Sequence, residues 1–252
     1  MSNLSRVLPQ RVGSGRVMTT MTGHRLGNGP TTANSYTNAQ LDDYHGLARR
    51  HFPWRPPLHL TLQARFSHRE NELRGTAGFG FWNDPFGAGI KRLPTLPRAL
   101  WFFFSSPPSN MALALDVPGP GWKTATIDAW RWPFFGLVPT APLAMPLMRL
   151  RSLYRLFWPI GQRAIAVHEA LLTVNLTEWH SYRLEWYIGA ARFWVDDHLV
   201  LATDQAPRGP LGLVIWKDNQ AMAISPWSLP CHQLVACDEE QWLEVADLRI
   251  GT

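Results

Sequence analysis

The chain is predicted to be an all-β sandwich, and three stretches carry that prediction. Leu58-His59-Leu60-Thr61-Leu62-Gln63-Ala64-Arg65-Phe66 alternates apolar and polar residues, the period of a half-buried strand. Ala99-Leu100-Trp101-Phe102-Phe103-Phe104 is an unbroken apolar run. Pro97 precedes it and Ser105-Ser106-Pro107-Pro108 follows it, so it reads as a short strand buried on both faces. One face should pack on a core, and the other should line a cleft or sit under a covering segment. Trp179 to Tyr187 alternates again, and Ala191 to Asp197 returns after a tight Gly189-Ala190 turn, the pattern of a hairpin. A β-sandwich often reaches the length of 252 residues as one unit. The expected organisation is an extended arm over residues 1–37 and one domain over 38–252, interrupted by an insertion at 131–172.

Composition narrows the function. Hydrophobic residues make up 46% of the chain, with 13 Trp and 12 Phe. A large core or an aromatic-lined cleft would each use that many rings. The net charge of +5 reads as spread along the chain. No block of Lys and Arg is interleaved with aromatics, which argues against nucleic-acid binding. Cys231 and Cys237, six apart, could close a small loop if oxidised, and reduced, buried thiols are the favoured reading. The first twenty residues lack the apolar stretch of a signal peptide, and no run of eighteen apolar residues occurs, so a cytoplasmic protein is expected.

Taken in order, residues 1–37 are rich in Gly, Ser, Thr and Asn without a period, the composition of an extended, partly disordered arm. Asn38 can cap a helix from Ala39 to Arg50, with Leu41, Tyr44 and Leu47 on one face and Pro53 as its stop. After the strand at 58–66, a second strand from about Leu73 carries Gly75, Gly78 and Gly80. Such glycines admit a ligand or another backbone, or mark a bend. Phe79 and Phe81 point one way, and Gly80 and Trp82 the other. Val117 to Trp122 is a turn, and Thr124 to Trp130 a strand. In the insertion, Leu147 to Trp158 has helical period, with Leu147, Leu150, Leu153 and Phe157 on one side and Arg149, Arg151 and Arg155 elsewhere. Pro159 interrupts it, and Gln162 to Leu172 reads as a second helix. This segment has three readings: a cationic helix on a membrane surface, a lid over a cleft, or a helix packed on the sandwich.

In the hairpin, Tyr182, Leu184 and Trp186 point inward. The predicted register sets Tyr187 opposite Arg192, Glu185 opposite Trp194 and Arg183 opposite Asp196. Leu211 to Trp216 is a buried strand. Trp242 to Ile250 closes the fold, with Leu243, Val245, Leu248 and Ile250 buried around an irregularity.

The hairpin Trp179-His180-x-Tyr182-x-x-Glu185-Trp186 followed by Phe193-Trp194-Val195-Asp196-Asp197 resembles a strand pair of glycoside hydrolase family 16. Val245 to Ile250 is similar to that family's closing strand, and Gly78-Phe79-Gly80-Phe81-Trp82 to the strand before its catalytic strand. The resemblance covers roughly 56–128 and 173–250. It implies a concanavalin A-like jelly-roll β-sandwich, the fold of the lectin–glucanase superfamily. It also implies a catalytic strand with paired carboxylates. Here that strand is Ala99 to Phe104, and between Asp84 and Asp116 the sequence holds neither Asp nor Glu. Hydrolysis by the family mechanism is therefore not expected.

The leading expectation is a cleft for an apolar or amphipathic small molecule, lined by Phe79, Phe81, Trp82, Trp101, Phe103, Trp194, Trp216 and Asn219. Chemistry there would be non-hydrolytic, of isomerase or cyclase type, with Asp84, His168, Glu169 and Asp218 as acid/base candidates. The alternative is a carbohydrate-binding, lectin-like module with Trp82, Trp101 and Trp194 as stacking platforms. A peripheral membrane contact through 147–158 is a third reading. No metal-ligand spacing and no cofactor motif occurs, so no metal or cofactor is expected. Asp196-Asp197 reads as a turn rather than a calcium site.

Overall fold

The structure, a computed structural model, describes residues 6–87, 92–110, 113–223 and 231–252. Two seven-stranded antiparallel sheets face each other. The first runs in the order β1 (Leu8–Val12), β4 (Asn38–Asp42), β13 (Gly212–Asp218), β6 (Thr76–Trp82), β7 (Arg98–Ser105), β8 (Gly121–Asp128) and β9 (His168–Leu171). The second runs in the order β12 (His198–Thr203), β11 (Ala190–Val195), β10 (His180–Tyr187), β5 (Leu58–Phe66), β16 (Gln241–Gly251), β3 (Gly23–Asn28) and β2 (Gly15–Thr19). A small hairpin, β14 (Gln220–Ala223) with β15 (Cys231–Leu234), extends from the end of β13.

Period-two alternation fills the space between the sheets. Phe79 and Phe81 of β6, Leu100, Phe102 and Phe104 of β7, and Trp122 of β8 meet Leu60, Leu62, Tyr182, Leu184 and Trp186 from the other sheet, all within one buried cluster. Phe102 is the hub, 5.1 Å from the Tyr182 ring and 5.4 Å from Phe193. Burying each such ring is worth about 1.5–3 kcal/mol. The irregularity expected in the last strand is a bulge at Asp247, whose φ is 52°. It moves the buried set from Leu243 and Val245 to Leu248 and Ile250, the change of parity that one extra residue imposes.

Several local readings change. The N-terminal stretch is extended but not loose: β1 borders β4, and β2 and β3 continue the opposite sheet. Residues 39–50 are not a helix. Leu41 packs in the core and Tyr44 on the opposite face of the sheet, so the two never share a helical face, and only Arg49–His51 form a helical turn. In the hairpin Tyr187 pairs with Ala190, Glu185 with Arg192 and Arg183 with Trp194. The turn is therefore Ile188-Gly189, with φ of +80° at Gly189. The slip of two residues keeps the inward face intact but separates Arg183 from Asp196, which instead accepts from His180 Nδ1 at 2.6 Å. Asp196 and Asp197 have φ of 47° and 62°, a two-residue hairpin turn.

The insertion holds α1 (Trp132–Leu137), α2 (Ala141–Leu147) and α3 (Arg151–Ala164). The last runs through Pro159, which removes one helical bond, to the carbonyl of the exposed Arg155, where solvent can satisfy it. The helix expected over 162–172 is absent. Ala166 takes φ of 48°, which stops α3, and 168–171 becomes edge strand β9 beside β8.

Candidate functional site

The outer face of the first sheet, turned away from the core, is set by strand parity. Gly78, Gly80 and Trp82 of β6 face outward, with Ala99, Trp101 and Phe103 beside them on β7 and Val214 and Trp216 on β13. Three tryptophans from adjacent strands form a floor. Trp82 and Trp216 are parallel, within 3°, with ring centres 6.3 Å apart. Trp101 lies 6.0 Å from Trp82 and 5.7 Å from Trp216. All three are partly exposed, whereas Phe103, 5.5 Å from Trp101, is buried.

The β6 glycines serve this floor. A Cβ on Gly78 would lie 2.7 Å from the Trp216 ring, and one on Gly80 2.9 Å from Trp101 Cβ. Of the two readings for these glycines, close approach holds: the nearest groups are the β7 carbonyls of Phe102 and Leu100, each 2.3 Å from where a Cβ would stand, with the Trp216 ring next at Gly78. Two of the three indole N–H groups are anchored. Trp82 Nε1 donates to Tyr44 Oη at 2.7 Å. Trp216 Nε1 donates to Thr76 Oγ1 at 2.9 Å, whose hydroxyl donates to Asp218 Oδ1 at 2.7 Å. Trp101 Nε1 is buried and has no hydrogen-bond partner among the described residues. Gln40, outward on β4 opposite Trp216, donates to Tyr44 Oη at 3.3 Å and to Asp42 Oδ2 at 2.9 Å.

Both flanks of the floor are closed. On one side Tyr44 and Phe52 pack with Leu47, Val214, Trp82 and Trp216. That segment is clamped by Arg92, which donates to the carbonyls of Tyr44 and Leu47 and pairs with Asp84 at 2.6 Å. On the other side Leu113, Ile165 and Val167 cover Ala99 and Ile127, and Trp158 of α3 holds the Leu113 carbonyl at 2.8 Å. The insertion therefore covers the β8 margin of this face, with Trp82 and Trp101 packed along its edge and still partly exposed among the described residues.

The predicted site residues separate into four groups. Trp82, Trp101, Phe103 and Trp216 come together as described. Phe79 and Phe81 lie wholly within the core and reach no surface. Trp194 is on the outer face of the opposite sheet, under the Arg183 guanidinium at 4.5 Å. Asn219 is a structural tie: it accepts from Thr37 N and donates to the Ser35 carbonyl.

The acid/base candidates are dispersed. Asp84 is buried against Arg92. Asp218 is buried and accepts from Thr76 and Gln220, and burial raises its pKa. Glu169 is sealed against Lys123, 2.5 Å away, with both side chains fully buried. Burial pushes Glu169 upward and Lys123 downward, each partly opposed by the other's charge. His168 faces the other way from Glu169 on β9 and interacts with Gln205, and burial lowers its pKa. Sequence reasoning missed Gln40, Tyr44 and Lys123. For Gln40 the signal was present, since Ala39 and Leu41 alternate with Asn38, Gln40 and Asp42 as a strand does.

A cavity of about 960 Å³ lies away from the tryptophan floor. Arg98, Asp128, Trp130, Arg131, Gln205 and Arg208 border it where the insertion leaves β8.

No family model and no curated protein matches the chain. Among solved structures, the legume lectin-like domain from Entamoeba histolytica is similar with a TM-score of 0.50 at 7% identity, covering 98% of this chain and 90% of that one. The fold is a lectin-like jelly roll. The carbohydrate-binding module CBM66 from Bacillus subtilis has a TM-score of 0.40 at 8% identity, over 97% of this chain and 95% of that one. A glycosyl hydrolase family protein from Mycobacterium fortuitum has 0.43 at 10% identity, over 99% and 93%.

Proposed function

We propose that this protein is a carbohydrate-binding, lectin-like module that holds a sugar on the Trp82–Trp101–Trp216 floor and does not cleave it. The observation carrying the reading is that floor: three partly exposed indoles from neighbouring strands, with Gln40 at its rim. Faces of indole rings stack on the apolar face of a pyranose, and an amide supplies hydrogen bonds to hydroxyls. The sequence resemblance to glycoside hydrolase family 16 and the solved lectin-like domain are consistent with a sugar ligand.

Binding without cleavage follows from the residues on β7. Retaining glycosidases need two carboxyl groups about 5–5.5 Å apart, and the outward positions here are Ala99, Trp101 and Phe103. Glu169 is on the same side but is sealed against Lys123. An isomerase or cyclase acting on an apolar ligand has weaker support, because Asp84, Glu169 and Asp218 are buried and engaged.

Thermal-shift and tryptophan-fluorescence titration against β-glucan oligosaccharides tests the reading, with terpenoid and fatty-acid-like compounds as the contrast. Stabilisation by a saccharide that is lost in Trp101→Ala is expected. Stabilisation by the apolar panel alone, or silence from both panels, would overturn it.

A further inference from the structure

We propose that the helical insertion docks this protein onto the surface of a lipid bilayer bearing anionic headgroups. Residues 132–148 (WPFFGLVPTAPLAMPLM) contain no charged side chain, and Arg131 and Arg149 flank them. These residues do not form a core. Trp132 is 87% exposed, Leu143 72% and Met145 64%. Val138, Leu147 and Leu150 are exposed as well. On α3, Tyr154 and Trp158 stack against each other toward the body of the protein, while Leu156 and Ile160 stand outward beside Arg155. So many exposed large apolar side chains in one segment of a folded domain mark a contact site.

Charge identifies the occupant. From Trp130 to His168 there are five arginines (Arg131, Arg149, Arg151, Arg155 and Arg163) and neither Asp nor Glu. The remaining 19 basic residues balance the chain's 19 acidic ones. The insertion is thus one of several stretches of positive charge without an acidic side chain, another being residues 1–37 with Arg6, Arg11, Arg16 and Arg25. A second copy of this chain would bring five arginines against five arginines across a two-fold interface. A bilayer with anionic headgroups meets both needs, taking the apolar side chains into its interface and the arginines at its headgroups.

The backbone suits that environment. Pro133, Pro139, Pro142 and Pro146 carry no N–H to leave unpaired, and the Thr140 hydroxyl is spent on the Leu137 carbonyl at 2.7 Å. Trp130 and Trp132 each contact Phe135 edge-on, placing an aromatic cluster where indoles favour the headgroup level. No helix of the described residues is long and apolar enough to cross a membrane, so the segment lies on the surface.

The test is co-sedimentation of the full chain with vesicles of phosphatidylcholine and phosphatidylglycerol in equal parts, against phosphatidylcholine alone. Binding to the mixed vesicles is expected, weakened by salt and nearly absent on the neutral ones. Arg149→Gln, Arg151→Gln and Arg155→Gln together should weaken it by about a hundredfold. Leu143→Asn with Met145→Asn should weaken it while leaving the arginines in place. Both variants alter exposed residues, so an unchanged Tm verifies the fold. No sedimentation of the wild-type chain with mixed vesicles, binding unaffected by the Leu143–Met145 variant, or capture only by an acidic protein would overturn the proposal. Sugar binding at the tryptophan floor is read in a separate assay, so either proposal can fail alone.

Discussion

Lys123 and Glu169 form an ion pair on adjacent strands, 2.5 Å apart, on the same side of the sheet as the tryptophan floor and closed off from water. Lys123 also donates to the carbonyls of Pro118 and Gly119, and Glu169 accepts from Ala114 N. The pair thereby ties the 113–119 segment to β8 and β9. Removing one partner strands a buried charge, which costs about 3–5 kcal/mol. Glu169→Gln should lower stability by that order in urea denaturation. Lys123→Met with Glu169→Leu should cost less than Glu169→Gln, because no lone charge remains. Equal losses would show that the carbonyl contacts of Lys123, not the pairing, hold the segment.

Gly212 has no room for a side chain. A Cβ there would lie 2.2 Å from Tyr44 Cδ1, so Gly212→Ala must move the Tyr44 ring. The expected cost is about 1–3 kcal/mol, with loss of the acceptor that fixes Trp82. Thermal denaturation measures the first effect, and a change in tryptophan emission reports the second.

Lys217 gives a pH signature. Complete burial pulls its pKa down to about 8 from an ordinary 10.5, with its ammonium donating to the Arg74 and Asp218 carbonyls. Below pH 8 the folded and unfolded chains both carry the proton and the burial penalty is complete. Between about 8 and 10.5 the unfolded chain binds more protons, so stability rises with pH, by roughly 3 kcal/mol across the interval. Lys217→Met should remove most of that rise, leaving the part that the buried Lys123, also lowered by burial, contributes. A wild-type stability curve that is flat or falling over this range would contradict it.

The two aromatic faces should separate in binding. Trp101→Ala is expected to weaken saccharide affinity about tenfold or more, a loss of about 1.4 kcal/mol. Trp194→Ala, on the far sheet, should leave it unchanged. Titration of both variants with the same saccharide checks this, and the reverse order would move the site to the Arg183–Trp194 face.

Strands whose pattern is unambiguous were readable directly: β5 from its alternation, β7 from its apolar run and β10 from its inward Tyr182, Leu184 and Trp186. The bulge in β16 was readable too, because the buried positions change parity within it. Residues 38–50 failed because Leu41, Tyr44 and Leu47 fit a helical spacing as well as they fit a strand followed by a turn. What decided between them was Val214 and Ile215, far along the chain, which offer β4 a ladder to join. The same applies to β9, a four-residue edge strand supported by β8 and by the Lys123–Glu169 pair rather than by its own propensity.

The sequence by itself determined the side of its strand on which each aromatic residue stands, because side chains alternate with a period of two and turns set where counting starts. That Phe79 and Phe81 share one side of β6 and Trp82 stands on the other follows from that alone, but which side is the core does not, and Phe79 and Phe81, expected in the cleft, lie within the core. Which outward residues become neighbours depends on strand order and register, and those are settled by packing between segments more than a hundred residues apart. Tertiary structure therefore joined Trp216 to Trp82 and Trp101, sent Trp194 to the opposite face, and left the apolar, arginine-flanked insertion facing outward.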